Sequence, residues 1–171
     1  MTASTSASTV ESTLTKAPRY AGFWTRFVAW GIDSTIVTIA SWLVQFAILG
    51  LIYNLMAWYQ TRHGQTPASF FETFNFYWLQ VFNVGFYASV AFPYYVWGHF
   101  KYGTTLGKYP FAIYVVNAAD SSPLTLAQSI QRCLGYALSW LLFACGYLMA
   151  GFHPRKQGLH DLIAGTMSVT R

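Results

Sequence analysis

Six ionisable side chains occupy positions where they could support chemistry in a chain that has few charges. They are Arg26, Asp33, Lys108, Arg132, His160 and Asp161. Arg26 and Asp33 are seven positions apart, so on a helix they share a face and lie about 10 Å apart along the axis. They cannot contact each other at that distance, so each needs another partner. A charged residue at the centre of a membrane helix costs roughly 2.5–3.5 kcal/mol, and Asp33 is therefore expected to face a helix-bundle interior or a polar cavity.

Asp161 follows His160 near the C-terminal end of the chain and has two interpretations. It can be a turn or helix-terminus carboxylate after Gly158. It can also form a salt bridge if this segment folds back, with Arg26, Lys108 or Arg132 as its partner. Arg–carboxylate pairs can be bidentate, which adds orientation to the attraction between the charges. In the second interpretation, Asp161 docks residues 153–171 against the connection formed by residues 101–132.

No arrangement of residues predicts an enzyme. His153 and His160 are not spaced as zinc ligands, and neither an HExxH nor a CxxC motif occurs. The segment 103–108 has the letters of a phosphate loop but not its spacing or its strand-to-helix context. On one helix, Cys133 and Cys145 would lie about 18 Å apart, too far for a disulfide. We therefore predict no catalytic residues, no metal and no cofactor.

The composition indicates a membrane protein. Of 171 residues, 54% are hydrophobic and 19% aromatic, but only 9% are charged, whereas a soluble chain carries roughly 25% charged residues. Ten basic and five acidic side chains cannot cover a soluble globule of this size. A soluble enzyme, a disordered chain and a DNA-binding domain are all disfavoured. The net charge of +5 is accounted for by residues that flank the membrane, so the lipid bilayer is the expected partner and nucleic acid is not.

Three runs without any charged residue are long enough to span a bilayer. They cover residues 34–61, 73–100 and 133–154, with Trp and Tyr near the ends of the first two. A span needs about 20 apolar residues, and aromatic rings favour the headgroup level. We predict spans near residues 30–56, 74–98 and 133–153 within a membrane domain of residues 20–171. Residues 1–19, rich in Ser and Thr, are predicted to be a disordered tail.

The third run leaves two topologies open. Basic residues place the N-terminus and the second connection in the cytoplasm. Three full spans would send the tail and its basic residues outside. A re-entrant hairpin, with two half-helices meeting near residues 145–146, would leave only Arg62 outside. Residues 111–116 and 166–170 resemble strands, and they can pair only on one side. The predicted fold is an all-α bundle of two full spans plus a third span or a hairpin, with a short two-stranded β element at the cytoplasmic face.

Three stretches carry a resemblance to a known family: Arg26 to Asp33 at the start of the first span, the TTLGK sequence at residues 104–108, and residues 153–166 with the run GLHDLIAGT. Together they resemble the RDD family of small membrane proteins over about residues 20–171. The family is named for an Arg and two Asp, and by this match they are Arg26, Asp33 and Asp161. One departure is the Tyr-Pro that follows Lys108, where the family often has a second basic residue.

The resemblance implies an architecture and two functional classes. Some members of the family are proposed to transport ions or small solutes, and others are accessory parts of membrane assemblies. We expect a non-enzymatic accessory subunit that packs against other membrane proteins or against copies of itself. The alternative is an oligomeric ion or small-solute transporter that uses Asp33 and Arg26. In either case the expected location is a bacterial cytoplasmic (inner) membrane, with the N-terminus in the cytoplasm.

Overall fold

A helical hairpin forms the body of the computed structural model, which describes residues 19–142 and 145–170. Helix α1 (Phe23–Arg62) has 40 residues, and a single turn of helix, α2 (Phe70–Thr73), follows it. Helix α3 (Phe76–Trp97) then runs back beside α1 over 22 residues. Apart from Arg19, the Ser/Thr-rich tail predicted to be disordered lies outside the described residues.

One face of α1 packs against α3. The buried positions recur every four residues, which keeps them on one side of a helix; they are Ala29, Asp33, Val37, Ser41, Gln45 and Leu49. Val37 packs with Ala91 and Tyr95 of α3. Within the described ranges, α1 is the one helix that is by itself long and apolar enough to cross a membrane. Helix α3 occupies the second predicted span but does not by itself qualify as a membrane-spanning helix by length and composition.

The segment after α3 is compact and irregular before it becomes a strand. A π-helical turn (Gly98–Tyr102) ends at Gly103, whose φ of 64° suits glycine. A 3₁₀ turn (Tyr109–Phe111) leads into a strand that begins at Ile113. The predicted strand at residues 111–116 therefore starts too early, because Phe111 belongs to the turn and Ala112 has a φ of 51°.

The predicted β element is a small antiparallel sheet of three strands rather than two. Its strands are β1 (Arg19–Tyr20), β2 (Ile113–Asn117) and β3 (Thr166–Thr170), and β3 lies in the centre. Thr170 is opposite both Arg19 and Ile113. Strand β1 was missed because a two-residue strand has no alternation to recognise. The sheet joins the segment before α1, the segment after α3 and the C-terminal segment on one side of the molecule.

The third apolar run folds as two helices rather than one. Helix α4 (Leu126–Leu141) starts at a capping box formed by Thr125 and Gln128, and helix α5 (Cys145–Phe152) follows after a bend of 105°. The break lies next to the predicted meeting point at residues 145–146. Neither helix is long and apolar enough to cross a membrane without the other.

Small residues let the short helix α6 (Leu159–Ile163) pack closely on α4 and α5. A Cβ added to Gly135 of α4 would lie 2.8 Å from the Cα of His160. A Cβ added to Gly146 of α5 would lie 2.4 Å from the Ser139 hydroxyl oxygen. The three helices therefore form a tight layer beside the N-terminal end of α1, and this layer positions the charged residues.

The register of the sheet predicts a specific disulfide. In a chain with Cys133 and Cys145 replaced by alanine, Tyr20→Cys and Val169→Cys should cross-link on mild oxidation, because these residues are direct partners in the sheet. The Cα atoms of antiparallel partners are about 4.5–5.5 Å apart, within the range of a disulfide. The cross-link is detected as a shift on non-reducing gels. The pair Tyr20→Cys and Met167→Cys, two residues out of register, is the control, and equal cross-linking of both pairs would contradict the register.

Candidate functional site

The buried carboxylate of Asp161 lies between two guanidinium groups. Arg26 Nη2 donates to Asp161 Oδ2 at 2.5 Å, and Arg132 Nη1 donates to Asp161 Oδ1. The backbone N–H of Gly158, at the start of α6, donates to the same Oδ2 at 3.0 Å. The side chains of Asp161 and Arg132 are both fully buried. One carboxylate therefore joins α1, α4 and α6.

Arg132 extends this cluster from α4 to the sheet. Its Nη1 also donates to the Thr166 hydroxyl at 2.6 Å, and Nη2 lies 3.4 Å from the Ser168 hydroxyl, both on β3. Its Nε donates to the Tyr136 hydroxyl at 3.1 Å, one helical turn further along α4. A buried guanidinium needs partners for its donors, and these three nitrogens all have them.

Arg26 binds the C-terminal segment at a second point. Its Nη1 donates to the backbone carbonyl of Lys156 at 2.5 Å. Its Nη2 also lies 3.2 Å from His160 Nε2. Because a guanidinium has no acceptor, this contact requires an unprotonated Nε2 and hence a neutral ring. Arg26 thus holds the segment through a carbonyl, a carboxylate and an imidazole.

The charges in this cluster settle the protonation states. Burial is the largest influence on the Asp161 carboxyl and by itself would raise its pKa, but the guanidinium groups of Arg132 and Arg26 outweigh burial and hold the pKa well below its usual range. Burial is also the largest influence on His160 and lowers its pKa well below the usual value. Asp161 acts in the opposite direction and raises this pKa, whereas Arg132 and Arg26 lower it further. At neutral pH, Asp161 is charged and His160 is neutral.

Asp33 forms a separate site with the TLGK loop. Its Oδ1 accepts from the Tyr94 hydroxyl at 2.6 Å and from the Gly107 N–H at 2.7 Å, and its Oδ2 accepts from the Thr105 hydroxyl at 2.5 Å. Asp33 is fully buried. The loop approaches α1 so closely that a Cβ on Gly107 would lie 2.3 Å from the carbonyl oxygen of Ala29. These three donors therefore tie α1 to α3 and to the loop that follows it.

Lys108 turns away from Asp33 towards a different set of side chains. Its Nζ lies 2.8 Å from His99 Nε2 and 3.5 Å from the Tyr136 hydroxyl. Burial is the largest influence on Lys108 and lowers its pKa, while Tyr136 opposes this effect and Arg132 adds to it. Burial, with Lys108 next to it, also lowers the pKa of His99 well below its usual value, so the ring is neutral and its Nε2 can accept a hydrogen bond from Lys108.

The six side chains singled out in the sequence fall into two groups. Asp161, Arg26, Arg132 and His160 lie together, whereas Asp33 and Lys108 form no direct hydrogen bond or ion pair with them. Arg26 and Asp33 have separate partners, as their spacing requires.

Sequence reasoning missed the uncharged partners of both groups. They are Tyr94, His99, Thr105, Gly107, Tyr136 and Thr166. Tyr136 could have been found, because it lies four residues after Arg132 on the same helix face. In residues 19–142 and 145–170, no group of three His, Cys, Asp or Glu side chains is arranged to hold a metal ion.

Comparison with known proteins identifies relatives along nearly the whole chain. The model of the RDD family matches residues 20–165. Uncharacterized protein YxaI of Bacillus subtilis is 30% identical over 156 residues, which cover 87% of this chain and 96% of the relative. Uncharacterized membrane protein YteJ of the same organism is 33% identical over 153 residues, covering 88% and 80%. Uncharacterized protein RP437 of Rickettsia prowazekii is 28% identical over 169 residues, covering 88% and 95%. No solved structure matches the chain.

Removing the charge of Asp161 should unfold the layer formed by α4, α5 and α6. Asp161→Asn leaves two guanidinium groups without their carboxylate, and breaking a buried ion pair in this way costs about 3–5 kcal/mol. The free energy of unfolding, followed by circular dichroism in detergent, should fall accordingly, and residues 153–170 should become sensitive to protease. Asp120→Asn, in an exposed turn, is the matched control and should change neither measurement. Equal behaviour of the two variants would contradict the role of Asp161.

A methyl group at Gly107 should separate the TLGK loop from α1. In Gly107→Ala, the new Cβ would lie 2.3 Å from the Ala29 carbonyl oxygen and 2.8 Å from the Asp33 backbone nitrogen, so backbone must move. We expect a lower unfolding temperature in detergent. Gly31→Ala, on α1 with open space around it, is the control and should leave that temperature unchanged or slightly higher. A Gly107→Ala protein as stable as the control would refute the close approach.

Proposed function

The chain belongs to the RDD family, and on that premise we propose that it is a small non-enzymatic integral membrane protein that serves as a structural or accessory subunit. It packs against other membrane proteins or against copies of itself. The observation that carries this proposal is the exposed apolar surface of α1, which lies outside the face packed on α3 and beyond the N-terminal end that contacts α4, α5 and α6.

The length of α1 makes this surface more than a lipid-facing one. Its 40 residues extend about 60 Å, twice the roughly 30 Å of a hydrocarbon core. In the most apolar 18-residue stretch of α1, only 22% of the residues are buried. If Asp33 lies at one edge of the hydrocarbon, Leu55, Met56 and Trp58 lie about 33–38 Å further along the axis, at the level of the opposite headgroups, and all three are exposed. A contiguous patch of exposed apolar side chains at this level suits a contact with another protein.

The state of the charged residues supports a structural role over a transport role. Asp33 accepts three short hydrogen bonds, and Asp161 is held by two guanidinium groups. A carboxylate that binds and releases a solute must exchange its partners in each cycle. Side chains that each join several elements cannot do so without opening the fold, so we assign Asp33 and Asp161 to holding the molecule together.

The sheet supports a topology with both ends on one side. Hydrogen-bonded strands must lie on the same face of a bilayer, so β1, β2 and β3 share a face, α1 and α3 cross as a hairpin, and the bent pair α4–α5 enters and returns. Most of the basic residues lie on the sheet side and Arg62 lies on the other. The positive-inside rule makes the sheet side cytoplasmic. The relatives in bacteria support a bacterial cytoplasmic (inner) membrane.

Transport by an oligomer is the second candidate, and one observation favours it. Arg26 and Asp33 both line a cavity beside the N-terminal end of α1. Flux through proteoliposomes distinguishes the candidates. Asp33→Asn should abolish flux if Asp33 binds the solute, and an absence of flux by the natural protein would remove this candidate.

A photo-reactive amino acid on α1 tests the accessory role. Placed at Leu55, which is 58% exposed, it should form a protein adduct in native membranes, because this position faces the proposed partner. Placed at Val37, which is buried against α3, it should form no intermolecular adduct. The products are separated by size and identified by mass spectrometry. Lipid adducts alone at Leu55, together with a monomer that purifies without other proteins in mild detergent, would refute the proposal.

A further inference from the structure

A cavity of about 180 Å³ lies where α1, α4, α5 and α6 meet. Engineered cavities of about 150 Å³ hold a benzene molecule, so this one has room for a small ligand group. Its lining has two parts. Basic side chains from three elements lie on one side, and aromatic and aliphatic side chains lie on the other. The cavity is separate from the outer face of α1 that carries the proposed accessory role.

The cavity is lined by more basic side chains than carboxylates. Arg26, Lys108 and Arg132 line it, and so does Asp33, whose oxygens accept from Tyr94, Thr105 and Gly107. Asp161 is shared by the two arginines. For Lys108, which is only 6% exposed, no carboxylate of the described residues lies within 4 Å of the amine. A buried ammonium without a counter-ion is costly, and an anion in the cavity would remove that cost.

Unused hydrogen-bonding capacity lies on the same side. The Lys108 ammonium has three donors but, among the described residues, two hydrogen-bonding neighbours, His99 and the more distant Tyr136 hydroxyl. His160, which also lines the cavity, is 3% exposed, and its Nδ1 has no partner among the described residues. A neutral His160 whose Nε2 accepts from Arg26 carries its proton on Nδ1.

The opposite side of the cavity is apolar and open. Phe27, Trp140 and Leu148 line it and are between 51% and 60% exposed, so the cavity is accessible between them. Trp30 also lines the cavity, with its ring centroid 6.4 Å from that of Trp140. Phe27 and Trp30 precede the charge-free run of α1 that begins at Ser34, which places them at the headgroup level where Trp is enriched.

We propose that this cavity binds an anionic amphiphile, with a phosphate or carboxylate head at Lys108 and Arg132 and an apolar part between Trp30, Trp140 and Leu148. The head supplies the counter-ion that Lys108 lacks, and the apolar part leaves through the open rim. An anionic lipid in the surrounding leaflet and a soluble alkyl phosphate share this chemistry. The inference does not depend on the accessory role, because a subunit with any partner can hold such a ligand.

Binding is measured on the full chain in an uncharged maltoside detergent by native mass spectrometry. The probes are dihexanoyl phosphatidylglycerol, dihexanoyl phosphatidylcholine, hexyl phosphate and inorganic phosphate. We expect one phosphatidylglycerol per chain, bound about tenfold more tightly than phosphatidylcholine, which corresponds to about 1.4 kcal/mol. Hexyl phosphate distinguishes the two sources of the ligand. If it binds as tightly as phosphatidylglycerol, the site accepts a soluble alkyl phosphate; if it binds more weakly, the site prefers a membrane lipid.

Two variants and one matched control locate the site. Lys108→Met removes the ammonium but keeps the length of the side chain, and it should weaken phosphatidylglycerol binding about tenfold. Leu148→Trp fills the rim of the cavity and leaves every charge in place, so it tests the site even if Lys108→Met misfolds. Lys101→Met removes an exposed charge from the same connection and should leave binding within about twofold of the natural protein.

Several outcomes would overturn the proposal. Equal binding of phosphatidylglycerol and phosphatidylcholine would show that the site does not select an anionic head. Inorganic phosphate that binds as tightly as phosphatidylglycerol would show that the apolar part of the ligand contributes nothing to binding. Full binding by a folded Leu148→Trp protein, or equal losses in Lys108→Met and Lys101→Met, would place the ligand outside the cavity.

Discussion

The sharing of one buried carboxylate by two guanidinium groups is the constraint on which the rest of the structure depends. Taking an ion out of water costs several kcal/mol, so Arg132 inside α4 requires Asp161 at a fixed distance. That distance is reached only if α6 lies against α4, which Gly135 permits. Arg26 then brings the first turn of α1 to the same carboxylate. A single ionic contact thus defines how three helices meet.

Asp33 complements this constraint with a different chemistry. Its partners are two hydroxyls and one backbone N–H, all neutral, and no cation of the described residues is in direct contact with it. Neutral donors can satisfy a buried carboxylate if there are enough of them. Because Asp33 needs no cation, Lys108 is left with His99 and Tyr136. Among the described residues, Lys108 therefore has no carboxylate as a direct partner, whereas Arg26 and Arg132 share Asp161.

The sequence predicted the features that depend on local pattern. A charge-free run predicts α1, and the two strand-like runs predict β2 and β3 to within two residues. It did not predict β1, which exists only because β3 offers it an edge. For Asp161 it left several partners open, because only the packing of α6 on α4 decides between Lys108 and Arg132. The role of Gly107 was also hidden, since a close approach of two backbones has no signal in one sequence.

The central position of β3 has a consequence for the order in which the protein is made. Strands β1 and β2 leave the ribosome well before β3, and they do not touch each other. Until β3 and Asp161 emerge, the growing chain has two unpaired strand edges and two arginines without their carboxylate. The helical hairpin can form by then, but the layer of α4, α5 and α6 closes only after Asp161 and β3 have been made. A nascent chain halted earlier would therefore be recognisable to quality-control proteases as unfinished.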